Sequence, residues 1–450
     1  MDAADLDYRT RTESGCIPPR LVSRLLELGY REEVEFQSGR GEWFCAREWA
    51  RLLGDQGRQA AALEVLAPYV GTGWWPAVQA QAELLEGWGR AVEAIALVRP
   101  YAEAGQLALE TYGRLLSRHG RKDEAIELLS AGMENRSLAT TLVDIAEGSG
   151  RDEDIAALLA ARIPAGHRCD SPWCCRGLDP DTAIELLAVI RERQGRVDEA
   201  IDLLRTRRFN SVNSRDQLAD LLARHDRIEE LRAYAASESL GHATQRLAEA
   251  LEERGDVEGA IAVYRQPGGS PARQCHHAML LAQLLARHGR GDEAIGVMRA
   301  LADSPGGADD FIADMLCTLY ADHGRARDGL AYLDALKARR DGEEEWEFFR
   351  LRLQLLVDCG LLDEALDQAR VHPERDTWYT AETISDLLAD SGRVEEAVAV
   401  LEPHAPDNRS ALAGHLIDLG RVADAVAVLQ QRKSEPFVPV WTDTFSDPPF

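Results

Sequence analysis

Lysine is almost missing from these 450 residues, standing only at Lys122, Lys337 and Lys433. Arginine takes its place, and acids outnumber both, 77 Asp and Glu against 51 Lys and Arg, for a formal net charge of −26. A chain this acidic is poorly suited to nucleic acid, because phosphate contacts rely on Lys and Arg to neutralise the backbone. Long apolar runs are missing too: no window approaches the roughly 18 uninterrupted apolar residues that a membrane span needs. The first residues, MDAADLDYRTRTESG, hold no basic segment followed by an apolar stretch, so no secretory signal is expected. Catalytic signatures are absent as well, with no GxSxG elbow, GxxxxGK[ST] phosphate loop, HExxH pair or GxGxxG after a strand. These absences lead to the expectation of a cytoplasmic, non-enzymatic protein with no cofactor and no membrane or nucleic-acid partner. The preference for arginine over lysine points to a GC-rich bacterial genome.

The eight cysteines form no disulfide framework and read as reduced thiols. Four soft ligands nevertheless crowd into nine residues, His167, Cys169, Cys174 and Cys175, in the segment IPAGHRCDSPWCCRGLDPD. Zinc takes Cys and His in tetrahedral sites, but adjacent cysteines are awkward for two ligands on one ion, and no paired CxxC hooks exist. The expectation is an inserted loop at 166–178 that packs Trp173 over its neighbours. The alternative is a metal- or thiol-dependent sensor or enzyme centred on those four residues.

What the chain does contain is a repeated unit. The stretch LLARHGRGDEAIGVMR, residues 284–299, returns about every 30 residues, aligned on a turn residue at Gly57, Gly89, Gly120, Gly150, Gly195, Asp226, Gly255, Gly289, Gly324, Gly360, Gly392 and Gly420. LLARH ends one amphipathic helix, the glycine suits a left-handed C-terminal cap, and GDEAIGVM opens a second helix with acids in its first turn. Ten of the twelve turns carry Arg directly after the anchor, and eleven carry an acid three or four residues after it, a placement that complements the dipole of each helix end. Seven residues before the anchor the side chain is small in most units, as at Ala50, Ala219, Ala282, Cys317 and Ser385. Five residues after it a second small column runs through Ala62, Ala125, Ala200, Ala294, Gly329 and Ala397. Small residues at fixed offsets on both helices predict close helix approach, since interaxial distance follows side-chain size.

This pattern resembles the tetratricopeptide repeat family, with its small residue in the first helix, Gly at the turn, Ala early in the second helix and Pro after some units (Pro68, Pro100, Pro164, Pro267, Pro403). The resemblance runs from about Trp43 to Gln430, and LLELGYREEV around Gly29 adds a degenerate unit. It implies an all-α fold, a right-handed α-solenoid of about twelve to thirteen helix-turn-helix repeats, elongated because each repeat meets only its neighbours. The expected organisation is a flexible arm at 1–18, repeats at 19–165, the Cys/His-rich insertion at 166–178, repeats at 179–432, and a Pro/aromatic tail at 433–450. The tail is expected to cap the last repeat or, alternatively, to bind another protein. Loops are expected at 266–274 and 303–310, and the charged run ARRDGEEEWE at 338–347 reads as a solvated connector.

The resemblance also implies a function: protein or peptide binding by the concave face, which the family lines with first-helix positions. Ten, six and three residues before each anchor, those positions hold Glu83, Glu86, Glu110, Asp144, Glu147, Glu185, Glu192, Asp216, Asp220, Glu249, Glu252, Asp314, Glu382 and Asp386, with Arg47, Arg51, Arg114 and Arg350 opposing them. Thirteen before it, Phe44, Leu107, Phe311 and Tyr379 offer apolar footholds, and His242 and His276 polar ones. The basic clamp by which some of these domains hold a terminal carboxylate has no counterpart at these offsets. The expected partner is therefore a protein segment rich in Arg or Lys with apolar residues between. The competing reading is that the acids keep a long helical array soluble.

Overall fold

The computed structural model describes residues 2–163, 178–207, 211–212, 215–238, 240–266, 270–304 and 309–430. Among them the chain is built from helical pairs, each broken where the sequence places its anchor. Every anchor glycine has positive φ, from 68° at Gly324 to 81° at Gly255 and Gly392, and the degenerate Gly29 joins them at 89°. Asp226 holds the same left-handed conformation at 63°, a position glycine would occupy with less strain. At most turns the residue after the anchor donates its amide to the carbonyl five residues back, as Arg290 N does to Leu285 O at 2.9 Å and Arg393 N to Leu388 O at 2.8 Å. This is the Schellman closure, and it stops each first helix at a fixed place.

The chain divides into two compact units. One comprises residues 91–365. Its complete pairs are Gln106–Arg118 with Lys122–Ser130, Arg136–Ala146 with Asp152–Ala160, Pro180–Arg193 with Val197–Arg205, Gln217–Arg224 with Ile228–Ser237, His242–Glu253 with Val257–Tyr264, Pro271–Arg287 with Gly291–Ala302, and Asp310–Asp322 with Ala326–Arg339. Asp179 caps its helix through Thr182 N at 2.9 Å with Pro180 in the first turn, as the AspPro step suggests. Between two of these helices Ser211–Val212 pairs antiparallel with Arg215–Asp216, a two-residue ladder that leaves the fold all-α.

The other unit comprises 1–90 and 366–450. It holds Pro19–Glu27 with Arg31–Gly39, Trp43–Asp55 with Gln59–Val70, Trp378–Asp390 with Val394–Leu401, and Arg409–Asp418 with Val422–Gln430. Where a flexible arm was expected, a helix runs over Ala3–Thr12. Its Leu6 is buried, and Arg9 pairs with Glu42 at 3.2 Å. A second departure is larger. Helix Pro19–Glu27 packs on Arg409–Asp418, with Leu21, Val22 and Leu25 in one core with Leu412, Ala413, Leu416 and Ile417. Arg24 Nε meets Asp418 at 2.8 Å, and Gln430 Nε2 donates to Gln37 at 2.8 Å. The expectation that repeats touch only their sequence neighbours fails here, because the apolar face of the last repeat is covered by the first. The tail proposed as its cap lies outside the described residues.

Both small columns are buried. Ala50, Ala219, Ala282 and Ser385 seven before the anchor, and Ala62, Ala125, Ala200, Ala294 and Ala397 five after it, are all fully buried. Gly113 and Gly329 show how close the approach is in these columns: a Cβ on them would stand 3.0 Å from Leu129 Cδ1 and 2.9 Å from Leu355 Cδ1. The charged run at 338–347 is not simply solvated. Glu344 is buried against Arg352, at 2.8 Å, and Lys337, at 3.1 Å, because a buried guanidinium needs a matching carboxylate.

Candidate functional site

The arginine after each anchor does more than complement a helix dipole. Arg290 reaches its own helix start at Glu293, 2.6 Å, and the preceding repeat at Glu258, 2.7 Å. Arg325 does the same with Asp328 and Asp292, both at 2.7 Å, and Arg196 with Glu199 at 2.5 Å and Glu153 at 3.1 Å. The two acids of the DEA motif thus divide their roles: the second holds its own turn and the first waits for the next repeat. Each pair is exposed, where water and salt screen the attraction, so the ladder sets register more than stability.

The proposed groove acids are engaged by a parallel device. Arg224 and His225, directly before the Asp226 anchor, both bind Glu192, at 2.8 and 2.9 Å. Arg287 and His288 bind Glu252 in the same way, each at 2.9 Å. Burial would raise the Glu192 carboxyl, but the hydrogen bonds from Arg224 and His225 outweigh it and hold the group below the usual range. At Glu252 the Arg287 hydrogen bond is the largest influence, and it too lowers the pKa. Asp144 takes Arg114 at 3.4 Å, Glu185 takes Arg136 at 3.4 Å, Asp220 takes Arg246 at 3.1 Å and Asp314 takes Arg350 at 3.0 Å. Glu249 accepts from Gln245 at 2.9 Å, Glu83 from Gln79 at 2.9 Å and Glu110 from Gln106 at 3.1 Å. Much of the acidity read from the sequence is therefore balanced inside the chain, on faces where first helices of successive repeats meet.

Asp216 does not belong to that set. It is buried, caps Gln217–Arg224 through Ala219 N at 2.9 Å, and accepts the Tyr234 hydroxyl at 2.7 Å. It reads as an acid ten before the anchor, but its helix is short, so that offset falls at the cap. Phe44 is also lost as a foothold, being packed in the core. Leu107 and Phe311 remain exposed, at 64% and 57%. Asp386 is raised by burial and by its neighbour Glu382.

Two open clefts lie between consecutive first helices. One, of about 490 Å³, is bounded by Asp310–Asp322 and Trp346–Asp358 and lined by Asp314, Thr318, Asp322, Arg350, Gln354 and Asp358 among others. The second, of about 430 Å³, is lined by Arg114, Ser117, Arg118, Lys122, Asp144, Ile145 and Glu147. The offsets ten, six and three before the anchor supply Asp314, Arg350, Arg114, Asp144 and Glu147. They miss Asp322, Asp358 and Arg118, all two residues before it. That offset carried a visible signal, since it is Arg at 118, 193, 224 and 287 but Asp at 55, 322, 358, 390 and 418. Lys122 lines the second cleft although its sequence offset excluded it, and its Nζ donates to Glu147 O at 2.8 Å.

Among the described residues no group of three or more His, Cys, Asp or Glu could hold a metal ion. The His167, Cys169, Cys174 and Cys175 cluster lies outside those residues. No described helix is long and apolar enough to cross a membrane.

No family model matches the chain, and no curated protein matches it in sequence. Solved structures to which it is similar include two named as repeat proteins. A Naa15/Naa10 assembly bound to HypK-THB is 16% identical over 85% of this chain, with a TM-score of 0.30. The pentatricopeptide repeat protein PPR10 from maize is 14% identical over 91%, with a TM-score of 0.34. A tetratricopeptide repeat protein from Parabacteroides merdae is 12% identical over 66% of this chain and 99% of its own, with a TM-score of 0.28. The chain spans 57% of the first neighbour's length and 66% of the second's.

Proposed function

We propose that the chain is a non-enzymatic binding scaffold whose first-helix faces hold a basic protein segment punctuated by apolar residues. The observation that carries this reading is the cleft at Asp314. Three carboxylates line it, Asp314, Asp322 and Asp358, against the single guanidinium of Arg350. Arg350 is committed to Asp314, and no arginine reaches Asp322 or Asp358 among the described residues. Phe311 lies exposed on the same helix as Asp314. An arginine or lysine of the partner would complete the charge balance that the chain's own arginines supply elsewhere, while an apolar residue rests on Phe311. Complementarity of this kind governs encounter and selectivity more than raw affinity.

A labelled peptide alternating arginine with leucine, titrated against the full chain, should bind at low salt and weaken as salt rises. Asp322→Lys combined with Asp358→Lys should abolish that binding while circular dichroism stays unchanged. Binding that is insensitive to salt, or equal for a peptide alternating glutamate with leucine, rejects the proposal and leaves the acids as solubilising groups.

A further inference from the structure

One basic cluster departs from the pairing rule of the rest of the chain. Arg273, near the start of Pro271–Arg287, forms no ion pair among the described residues. Its Nη1 donates to the main-chain oxygen of Glu238 at 3.1 Å and its Nη2 to Thr244 Oγ1 at 3.0 Å, both neutral acceptors. Its Nε is buried with no acceptor at all. One helical turn on, His277 is 6% exposed, and its Nε2 is likewise buried and unpartnered. The two nitrogens converge on the same point. A Cβ placed on Gly241 would stand 3.4 Å from His277 Nε2 and 3.6 Å from Arg273 Nε.

Gly241 is the N-cap of the twelve-residue helix His242–Glu253, and no side chain caps that helix. Its first amides therefore add their partial positive charge to the same spot. Glu238 turns its carboxylate to the amides of Leu240 and Gly241 and offers Arg273 only its carbonyl. A guanidinium is charged at any accessible pH and its N–H groups only donate. A helix N-terminus selects negative charge. Arg273 Nε and His277 Nε2 are both left without an acceptor, and the space above the hydrogen of Gly241 is small.

We infer that Gly241, Arg273 and His277 form a binding site for a small oxyanion, presented as a carboxylate or a phosphoryl group. Arg273 Nε and His277 Nε2 donate to its oxygens, and the amides of the first turn of His242–Glu253 complete the shell. Glycine is required at 241 twice over: φ is +92°, and a methyl group would occupy the ligand's place. The site is independent of the acidic cleft and of any basic partner segment held there.

The test uses the full chain and two probes, inorganic phosphate and acetate, each at constant ionic strength balanced with chloride. Either probe is expected to raise the melting temperature saturably and to shift one histidine ring signal in the NMR spectrum. Saturation by phosphate alone assigns a phosphoryl source, and saturation by acetate a carboxylate one. Arg273→Gln should weaken binding by about ten-fold or more, the loss expected of a charge-assisted donor. Arg290→Gln, which removes the same charge from a paired arginine, should change it less than about two-fold. Should Arg273→Gln fail to fold, His277→Phe, which keeps a ring against Tyr264, takes its place. Absence of any effect beyond chloride in the unaltered protein overturns the inference, as does equal weakening by the two arginine variants.

Discussion

Gly329 and Gly296 lie in neighbouring repeats of the same unit, and the same substitution should move their stability in opposite directions. Gly329 occupies the column five after the anchor, where other repeats carry alanine. By column statistics Gly329→Ala looks favourable, since alanine is worth roughly 1 kcal/mol over glycine inside a helix. In the structure the new Cβ would lie 2.9 Å from Leu355 Cδ1, 3.2 Å from Leu355 Cδ2 and 3.4 Å from Tyr320 Cβ. Leu355 is 1% exposed and Tyr320 4%, so neither has solvent to move into. Overpacking of a tight core costs about 1–3 kcal/mol, which exceeds the propensity gain, and the net change is a destabilisation on the order of 1 kcal/mol. Gly296, in Gly291–Ala302, is exposed and meets nothing within 4 Å. Gly296→Ala should keep the propensity gain, about 0.5–1 kcal/mol of added stability. Hydrogen exchange of the amides in Ala326–Arg339 and in Gly291–Ala302 reads the two changes locally, which avoids assuming a single transition for a repeat array. If Gly329→Ala slowed exchange as Gly296→Ala does, the close approach of Leu355 would not limit this column and the reasoning fails.

Bulk in the same column should act more strongly: Ala125→Trp and Ala294→Trp, both at fully buried positions, should each cost at least about 1–3 kcal/mol, and an unchanged melting curve for either would refute the register. Asp216→Ala should cost on the order of 1–3 kcal/mol by leaving a helix start uncapped and the Tyr234 hydroxyl unpaired, while binding of the basic test peptide stays unaltered; a specific loss of that binding would return Asp216 to the groove. Burial pushes the Glu42 carboxyl from 4.5 up to about 7, against the pull of Arg9. A carboxyl whose folded pKa lies above its unfolded one binds its proton more tightly when folded, so its stabilisation is full below about pH 4.5 and is lost as pH rises through 7. Glu42→Gln should remove that slope, roughly 3 kcal/mol between pH 4.5 and 8, and equal pH profiles for parent and variant in chemical unfolding would refute the assignment.

The turns, the columns and the number of repeats were legible because each follows from one local rule repeated many times. Positive φ selects glycine, close approach selects alanine, and Schellman closure fixes where a helix stops. The groove was legible only in part. Glu192 and Glu252 stand at the expected offset, yet their arginine and histidine partners sit one repeat later, and a list of one column cannot show that another column neutralises it. Asp216 failed for a different reason. Offsets counted back from the anchor assume a first helix of constant length, and Gln217–Arg224 is eight residues long where Pro271–Arg287 is seventeen. His277 and Arg273 escaped because nothing about them repeats: in a periodic sequence, a residue used once has no column in which to be noticed.

The packing of the first repeat on the last recasts the problem of the array's ends. A stack of helical pairs leaves an apolar face at each end, and the usual remedy is a terminal repeat with a polar outer surface. Here no polar surface has been written into Arg409–Asp418, where Leu412, Leu416 and Ile417 are apolar and buried. Its covering face comes from Leu21, Val22 and Leu25, nearly 400 positions earlier, and is fixed by Arg24 on Asp418. Asp418 stands two before its anchor, the offset at which aspartate replaces arginine in the later repeats. Repeats that carry arginine there, at 224 and 287, use it to grip the preceding first helix. Aspartate at 418 is gripped instead, by an arginine from the far end of the sequence. The sign of this one column therefore decides whether a repeat reaches backward in the stack, as at 224 and 287, or leaves a carboxylate for another group to pair, as at 418. Among the described residues no arginine reaches Asp322, Asp358 or Asp390, so the charge of these members of the column is not balanced from within the chain as that of Asp418 is.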